Sequence, residues 1–291
     1  MHGALLAVSL LFGSNYVVAK VAFREVTPLV LVVIRTWGTA AILFGVAALM
    51  PRKSAMPKLR PREFGELLLY SILGVSFNQL CFLEGLSRST ATNASIILVA
   101  IPLLTLAFAV ALRRERASVT GVAGIAIGLT GALLLIIPRG GVTLSTSAFT
   151  GNLLLFAGSV SYSFYLVLTR QILARHDPVR VVRWIFLLAA LTVLPFGFRG
   201  MRQLVVTGLS PAGWASVAFI TVGATVLPYL LNTWALARVK ASVVAVYILV
   251  QPLVAGAMGR IFLGEHLGPN AVVAGALVTV GVVLSVWRRS D

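Results

Sequence analysis

The sequence predicts an all-α integral membrane protein: ten transmembrane helices in two inverted five-helix repeats, with both termini cytoplasmic. Three observations carry this expectation. Of 291 residues, 59% are hydrophobic and only 11% are charged, a composition unlike that of a soluble domain. The charges stand between apolar runs of about 20 residues, the length that crosses a bilayer as a helix. The stretch Ala91 to Glu115 returns without a gap 150 residues later, from Ala241 to Glu265, with Pro102 over Pro252 and Glu115 over Glu265. Lys20 and Arg170, Pro28 and Pro178, Leu86 and Leu236, Arg88 and Arg238, and Gly131 and Gly281 keep the same offset. A fixed period of this kind marks a duplicated unit, here residues 1–140 and 141–291. Five spans per unit is an odd number, so the second unit enters the membrane from the side opposite to the first, an inverted-topology repeat about a pseudo-twofold axis in the membrane plane.

Taken in order, the apolar runs place spans at about 3–22, 27–49, 66–87, 90–112, 118–137, 150–169, 180–198, 211–235, 241–261 and 267–287. The first lacks a basic leader and a small-residue cleavage site, so it reads as a span and not as a signal peptide. The seventh is the least regular, because Pro195 interrupts its uncharged core. Only Pro51 to Gly65 and Pro138 to Thr150 form longer connections, the second joining the two units.

Basic residues test the inversion independently. Loop 2–3 holds Arg52, Lys53, Lys58, Arg60 and Arg62, whereas its repeat partner, loop 7–8, holds Arg199 and Arg202. Loop 4–5 holds Arg113, Arg114 and Arg116, against Arg260 in loop 9–10. The bias runs the other way between loop 1–2 (Lys20, Arg24) and loop 6–7 (Arg170, Arg175, Arg180, Arg183), and between loop 3–4 (Arg88) and loop 8–9 (Arg238, Lys240). With Arg288 and Arg289 inside and Arg139 outside, sixteen of the 24 basic residues fall on one face and seven on the other, leaving Arg35 within a span. The positive-inside rule makes the richer face cytoplasmic. The net charge of +16 is thereby used for membrane orientation, and no soluble basic domain exists to bind nucleic acid. One cysteine, Cys81, excludes an internal disulfide, and His2, His176 and His266 are scattered without metal-ligand spacing. No cofactor is expected, and no G-x-x-x-x-G-K-[ST] phosphate loop is present.

The ordered set of motifs supports a family resemblance. These are N-A-S-I-I-L-V-A-I-P-L-L-T-L-A-F-A-V-A-L-R-R-E-R, its echo V-V-A-V-Y-I-L-V-Q-P-L-V-A-G-A-M-G-R-I-F-L-G-E, the opening L-F-G-S-N-Y-V-V-A-K, and T-P-L-V-L-V-V-I-R of span two. Over essentially its whole length the chain resembles the EamA-type branch of the drug/metabolite transporter superfamily. The resemblance implies a multi-pass carrier of the bacterial inner membrane, usually an exporter of small metabolites, amino acids among them. Glu84 departs from the small or aromatic residue that relatives usually carry there.

Two charges lie inside spans, where an ionised side chain costs about 2.5–3.5 kcal/mol on insertion scales. At 1.5 Å per residue, Arg35 sits about 10 Å and Glu84 about 6 Å from the outer face. One reading has Glu84 binding a substrate ammonium or a proton and Arg35 attracting a carboxylate. The other has an internal ion pair, or Glu84 bonding Arg88 one turn on while Arg35 reaches outward. Polar and aromatic residues concentrate on the first, third and fourth spans of each unit: Asn15, Tyr16, Asn78, Gln79, Asn93, Tyr162, Tyr165, Tyr229, Asn232, Trp234, Tyr247 and Gln251. With Arg35 and Glu84 they form a candidate substrate-binding set around a central cavity, the plainer alternative being interhelical hydrogen bonding. Pro102 and Pro252 are candidate hinges or fixed kinks. Glu115 and Glu265 read as span-end caps. The glycine stripes, Gly121, Gly124, Gly128 and Gly131 against Gly268, Gly275 and Gly281, read as close packing, within one chain or in a homodimer.

The function expected is secondary active or facilitative transport, alternating access moving small amphipathic metabolites, apolar or aromatic amino acids first. Proton coupling would rest on Glu84. Drugs, nucleotide derivatives or lipid-linked sugars are alternative cargoes of the same carrier. A membrane-embedded transferase is a remote alternative, because eight acidic residues supply no paired carboxylates.

Overall fold

The computed structural model describes residues 2–49, 59–114, 118–136, 146–236, 238, 247–265 and 268–287. Helices account for nearly all of them, and no strand occurs among the described residues. In order they are α1 (His2–Ala22), α2 (Pro28–Leu49), α3 (Pro61–Arg88), α4 (Ala91–Ala111), α5 (Val119–Ile136), α6 (Thr146–Leu173), α7 (Pro178–Thr207), α8 (Pro211–Ala235), α9 (Gln251–Leu263) and α10 (Pro269–Trp287). Seven, α1 to α4 and α6 to α8, are long and apolar enough to cross a membrane. Glu115, Lys240, His266 and the first part of the predicted ninth span, 241–246, lie outside the described residues. α7 does not stop at Phe198 but runs through Pro195 to Thr207.

Local chemistry starts these helices where the apolar runs begin. Proline occupies the first position of α2, α3, α7, α8 and α10, where its missing N–H costs nothing and its φ is already helical. Two of these pairs, Pro28 with Pro178 and Pro61 with Pro211, stand 150 residues apart. Side-chain caps complete the turns. Thr90 accepts from the Asn93 amide at 3.0 Å, Asp177 from Val179 at 2.8 Å and Ser210 from Gly213 at 3.1 Å. Gly264, at φ 65°, closes α9 in the left-handed region.

Helix interruptions also recur at the duplicated interval. α3 contains a π segment at Ile72–Ser76 and α8 one at Phe219–Val226. α4 breaks at Val99, between Ala91–Leu98 and Ala100–Ala111, and α9 is entered through a 3₁₀ turn at Tyr247–Val250. The proline that follows explains each break. Pro102 and Pro252 give no N–H to the carbonyls four residues back, Leu98 and Ile248, and their rings crowd those carbonyls. The distortion therefore lies on the N-terminal side of each proline.

The principal contacts pair α1 with α9, α2 with α7, α3 with α6 and α5 with α10, while α4 packs on α6 and α8 on α1. Exchanging the halves maps this list onto itself. The outward faces remain apolar: Leu6, Leu10, Phe77, Leu253, Ile261 and Phe262 are all exposed. Asn15, Arg35, Thr36, Ser95, Ser163 and Thr225 are buried. Apolar surface on this scale needs a partner, and a bilayer is the partner such helices fit. Most of these interior polar groups bond protein oxygens, because hydrocarbon offers them nothing.

The α5–α10 crossing brings backbones into contact. A Cβ on Gly281 would sit 2.5 Å from the Gly128 nitrogen and 2.6 Å from the Gly124 oxygen; one on Gly131 would meet Leu277 and Ala274 at 2.8 and 2.9 Å. The glycine stripe is thus used within the chain. Gly281→Ala is expected to lower stability by about 1–3 kcal/mol through overpacking. Gly45→Ala, an exposed position with nothing within 4 Å, should be neutral or stabilising by about 0.5–1 kcal/mol. Thermal unfolding of the purified protein in detergent measures both, and equal midpoints for the two variants would contradict the crossing.

Candidate functional site

A cavity of about 850 Å³, its open mouth included, lies between the halves. The stripe Leu5, Val8, Ser9, Phe12, Asn15 and Tyr16 lines it from one face of α1, the i, i+3, i+4, i+7 spacing of a single helical side. Asn78, Gln79 and Phe82 enter from α3, Tyr162 and Leu166 from α6, and Tyr229 and Asn232 from α8. Tyr247, Ile248 and Gln251 come from the entry to α9, with Leu98 and Ile101 at the break in α4. Both proline-linked interruptions therefore open onto this space. Arg35 joins from α2, a helix otherwise dry in the sequence.

Hydrogen bonds hold the lining. Tyr16 donates to Gln251 Oε1 at 3.0 Å, linking α1 to α9. Asn78 Nδ2 donates to the Gly158 carbonyl at 3.0 Å, and Ser9 to the Tyr247 carbonyl at 2.6 Å. The two π segments each lend a carbonyl. Gly74 oxygen, in α3, accepts from the Tyr229 hydroxyl at 3.1 Å; Ala224 oxygen, 150 residues on, accepts from Arg35 Nη2 at 3.2 Å. Arg35 Nε donates to Thr225 Oγ1 at 2.7 Å, and Thr225 donates in turn to the Ile220 carbonyl, five residues back, at 2.7 Å. A π turn shifts its carbonyls out of i→i−4 register, which makes them available to side chains from neighbouring helices. Gly74 is needed here for another reason: a Cβ would lie 2.3 Å from Tyr165 Cδ2. Rings complete the wall, Tyr16 edge-on to Phe82 at 5.5 Å and Phe186 edge-on to Tyr229 at 4.8 Å.

Ten of the fourteen candidate site residues line this one cavity: Asn15, Tyr16, Arg35, Asn78, Gln79, Tyr162, Tyr229, Asn232, Tyr247 and Gln251. The other four are placed elsewhere. Tyr165 is buried behind the wall, stacked on Tyr162 at 5.5 Å. Glu84 pairs with Arg88 at 2.9 Å near the end of α3. Trp234 faces outward beneath the Arg238 guanidinium, 4.4 Å from its ring. Asn93 lies in the first turn of α4, its amide bonded to Thr90. The apolar lining, Phe12, Phe82, Leu98 and Ile101, is composed like a lipid-facing surface. The signal for Phe12 and Phe82 was positional: they stand three or four residues from Asn15, Tyr16, Asn78 and Gln79 on the same helices.

Cross-half caps close the ends. The Glu25 carboxylate, between α1 and α2, accepts from Ser210 N at 2.8 Å and Ser210 Oγ at 2.6 Å at the start of α8. Glu265 accepts from the amides of Ala91 and Thr92 at 2.7 and 3.0 Å and from the Thr92 hydroxyl at 2.9 Å, at the start of α4. On α3, Glu63 caps Arg60 N at 2.7 Å and meets His176 Nε2 at 3.0 Å, tying that helix to the α6–α7 connection. A carboxylate on a helix N-terminus is favoured by free N–H groups and the macrodipole together.

An EamA-like transporter family model matches the chain twice, at residues 2–137 and 149–287. The chain belongs to that family. It is 26% identical over 285 residues to the inner membrane transporter YedA of Escherichia coli K12, covering 98% of this chain and 90% of YedA. It is 24% identical over 288 residues to the transporter YyaM of Bacillus subtilis, covering 96% and 93%. With a WAT1-related protein of Arabidopsis thaliana the identity is 25% over 324 residues, covering 99% and 82%. A solved crystal structure superposes with a TM-score of 0.68 over all of both chains at 18% identity, which shows a shared fold. The protein is a multi-pass membrane transporter and not an enzyme. Among the described residues no cluster of His, Cys, Asp or Glu has the makings of a metal site.

The Ser210 hydroxyl and amide hold the Glu25 carboxyl below its usual pKa. A depressed carboxylate contributes stability that is complete above about pH 4.3, the unperturbed value, and is lost as pH falls through the lower folded value. Thermal unfolding midpoints from pH 7 to 3 should therefore fall more steeply for the native chain than for Glu25→Gln, which starts lower at pH 7. Parallel profiles would show that the cap contributes nothing.

Proposed function

We propose that this EamA-family chain is a secondary carrier that moves small amphipathic metabolites, apolar and aromatic amino acids first, through the cavity between its halves. The single observation that carries the reading is the lining itself: amide, phenol and phenylalanine groups from both halves converge on one space. Aromatic faces suit an apolar body and amides suit polar ends. We read the chain as ten spans in two inverted repeats, 1–140 and 141–291, with both termini cytoplasmic, in a bacterial inner membrane and working in the export direction. The double family match, the paired π segments and the exchange-symmetric contacts support the repeat, and the distribution of basic residues supports the orientation. Alternating access would rock one half against the other, with the interrupted segments before Pro102 and Pro252 as flexing points beside the substrate. Facilitated transport is the simpler energetic reading, since Glu84 is paired with Arg88 at a helix end and proton coupling would have to separate them. Arg35 is the one charged residue among the described lining residues, which disfavours nucleotide derivatives.

Uptake of a labelled amino-acid panel into proteoliposomes, with and without a pH gradient, tests the reading. Saturable uptake of apolar or aromatic amino acids is expected, insensitive to the gradient. Gln251→Leu, which removes the Tyr16 partner, should lower kcat/KM by about tenfold, the loss of one buried hydrogen bond. Absence of uptake with reconstitution verified would overturn the cargo. Reporter fusions give a separate test of orientation: a C-terminal alkaline phosphatase should be inactive in cells and a C-terminal fluorescent protein bright.

A further inference from the structure

Three buried polar atoms have no hydrogen-bond partner: Arg35 Nη1, Asn15 Oδ1 and Gln79 Oε1. Their residues all line the same space. Arg35 is 2% exposed, with Nε and Nη2 committed to Thr225 and Ala224. No carboxylate pairs with it among the described residues. The anchoring on α8 leaves the remaining guanidinium nitrogen with donors and nothing to receive them. Gln79, 5% exposed, leaves Oε1 as an acceptor without a donor. Buried polar groups are seldom left unsatisfied, and a buried guanidinium without a counter-charge is costly until an anion reaches it.

Resting on the carrier reading above, we propose that Arg35 is the carboxylate-binding residue of the substrate site, and that Gln79 Oε1 and Asn15 Oδ1 receive the ammonium of the same ligand. The cavity is then a zwitterion site: one anionic end on Nη1, one cationic end on two amide oxygens, and the apolar remainder against Phe12 and Phe82. The charge balance favours a carboxylate over a phosphate. Arg35 offers one free edge and the described lining holds no second cation, so a dianion would stay half compensated. An α-amino acid adds no net charge to the dry interior and meets all three unpartnered atoms.

Binding of three probes to the purified full-length protein, by calorimetry in detergent, tests this. L-Phenylalanine carries both ends, 3-phenylpropionate only the carboxylate, and phenethylamine only the ammonium. We expect L-phenylalanine to bind at least about tenfold tighter than phenethylamine, since a hydrogen bond to a charged group is lost with the carboxylate. 3-Phenylpropionate should fall between them, and Arg35→Gln should bring L-phenylalanine down to the level of phenethylamine. Equal affinity of phenethylamine and L-phenylalanine for the native chain would overturn the Arg35 assignment and leave the amphipathic cargo standing. 3-Phenylpropionate binding as tightly as L-phenylalanine would remove the ammonium site at Gln79 and Asn15. No binding of any probe would overturn both this assignment and the aromatic amino-acid reading. The probe series on the native chain decides the matter even if Arg35→Gln does not fold.

Discussion

Everything in this molecule depends on one constraint: inside hydrocarbon, a backbone or side-chain polar group is satisfied by the protein or left unsatisfied at a cost of several kcal/mol. An uninterrupted helix meets that constraint for the backbone at once, and most of the chain takes this solution. The departures matter because each releases carbonyls that must be used. The π segments of α3 and α8 release theirs to Tyr229 and Arg35. The breaks before Pro102 and Pro252 leave Leu98 and Ile248 at the cavity wall. Irregular backbone at membrane depth is tolerated where it is buried in protein or lines a cavity, and here all four interruptions lie beside the same cavity or its anchors. Secondary structure and site are in this sense one feature.

Duplication explains the arrangement economically. A unit with a π segment in its third helix and a proline break in its fourth, packed against a second such unit, brings two pairs of interruptions beside one cavity and its anchoring bonds. The copies then diverge in what they do with the released groups. At position 74 the carbonyl receives a phenol; at position 224, its counterpart, it receives a guanidinium. Arg35 has no basic equivalent in the second half, where Ile185 stands. Among the described lining residues the charge therefore lies on one side only, even though the helix contacts around it are nearly symmetric.

How far this could be read from residues alone follows from the same physics. Helix starts were legible, because proline and capping hydroxyls act locally. The duplication was legible, because Pro102 and Pro252 keep their interval. Clustering of Tyr, Asn and Gln on particular spans pointed to the cavity, since such side chains do not face lipid cheaply. Three things were not legible. The π segments Ile72–Ser76 and Phe219–Val226 carry no composition that distinguishes them from ordinary helix. Phe12 and Phe82 look like lipid-facing residues until the rotation of each helix is known. Trp234 and Tyr165 pass the compositional test yet point to the surface and to the second layer, because residue type does not reveal which face of a helix is turned inward.

Glu84 and Arg35 show why depth is a poorer guide than partners. By rise per residue they lie at similar depths on neighbouring helices, and an ion pair between them is arithmetically reasonable. The structure instead gives Glu84 an arginine one turn away on its own helix, a short-range contact needing no tertiary geometry. Arg35 receives only neutral oxygens from α8. Neutral acceptors orient a guanidinium without cancelling its charge. Had Glu84 reached Arg35, the interior would have been neutral and closed to an anion; because it does not, a charge remains fully buried and rigidly held. A group of that kind is expensive to keep in hydrocarbon, and its persistence is most simply explained if the missing counter-charge arrives with the cargo.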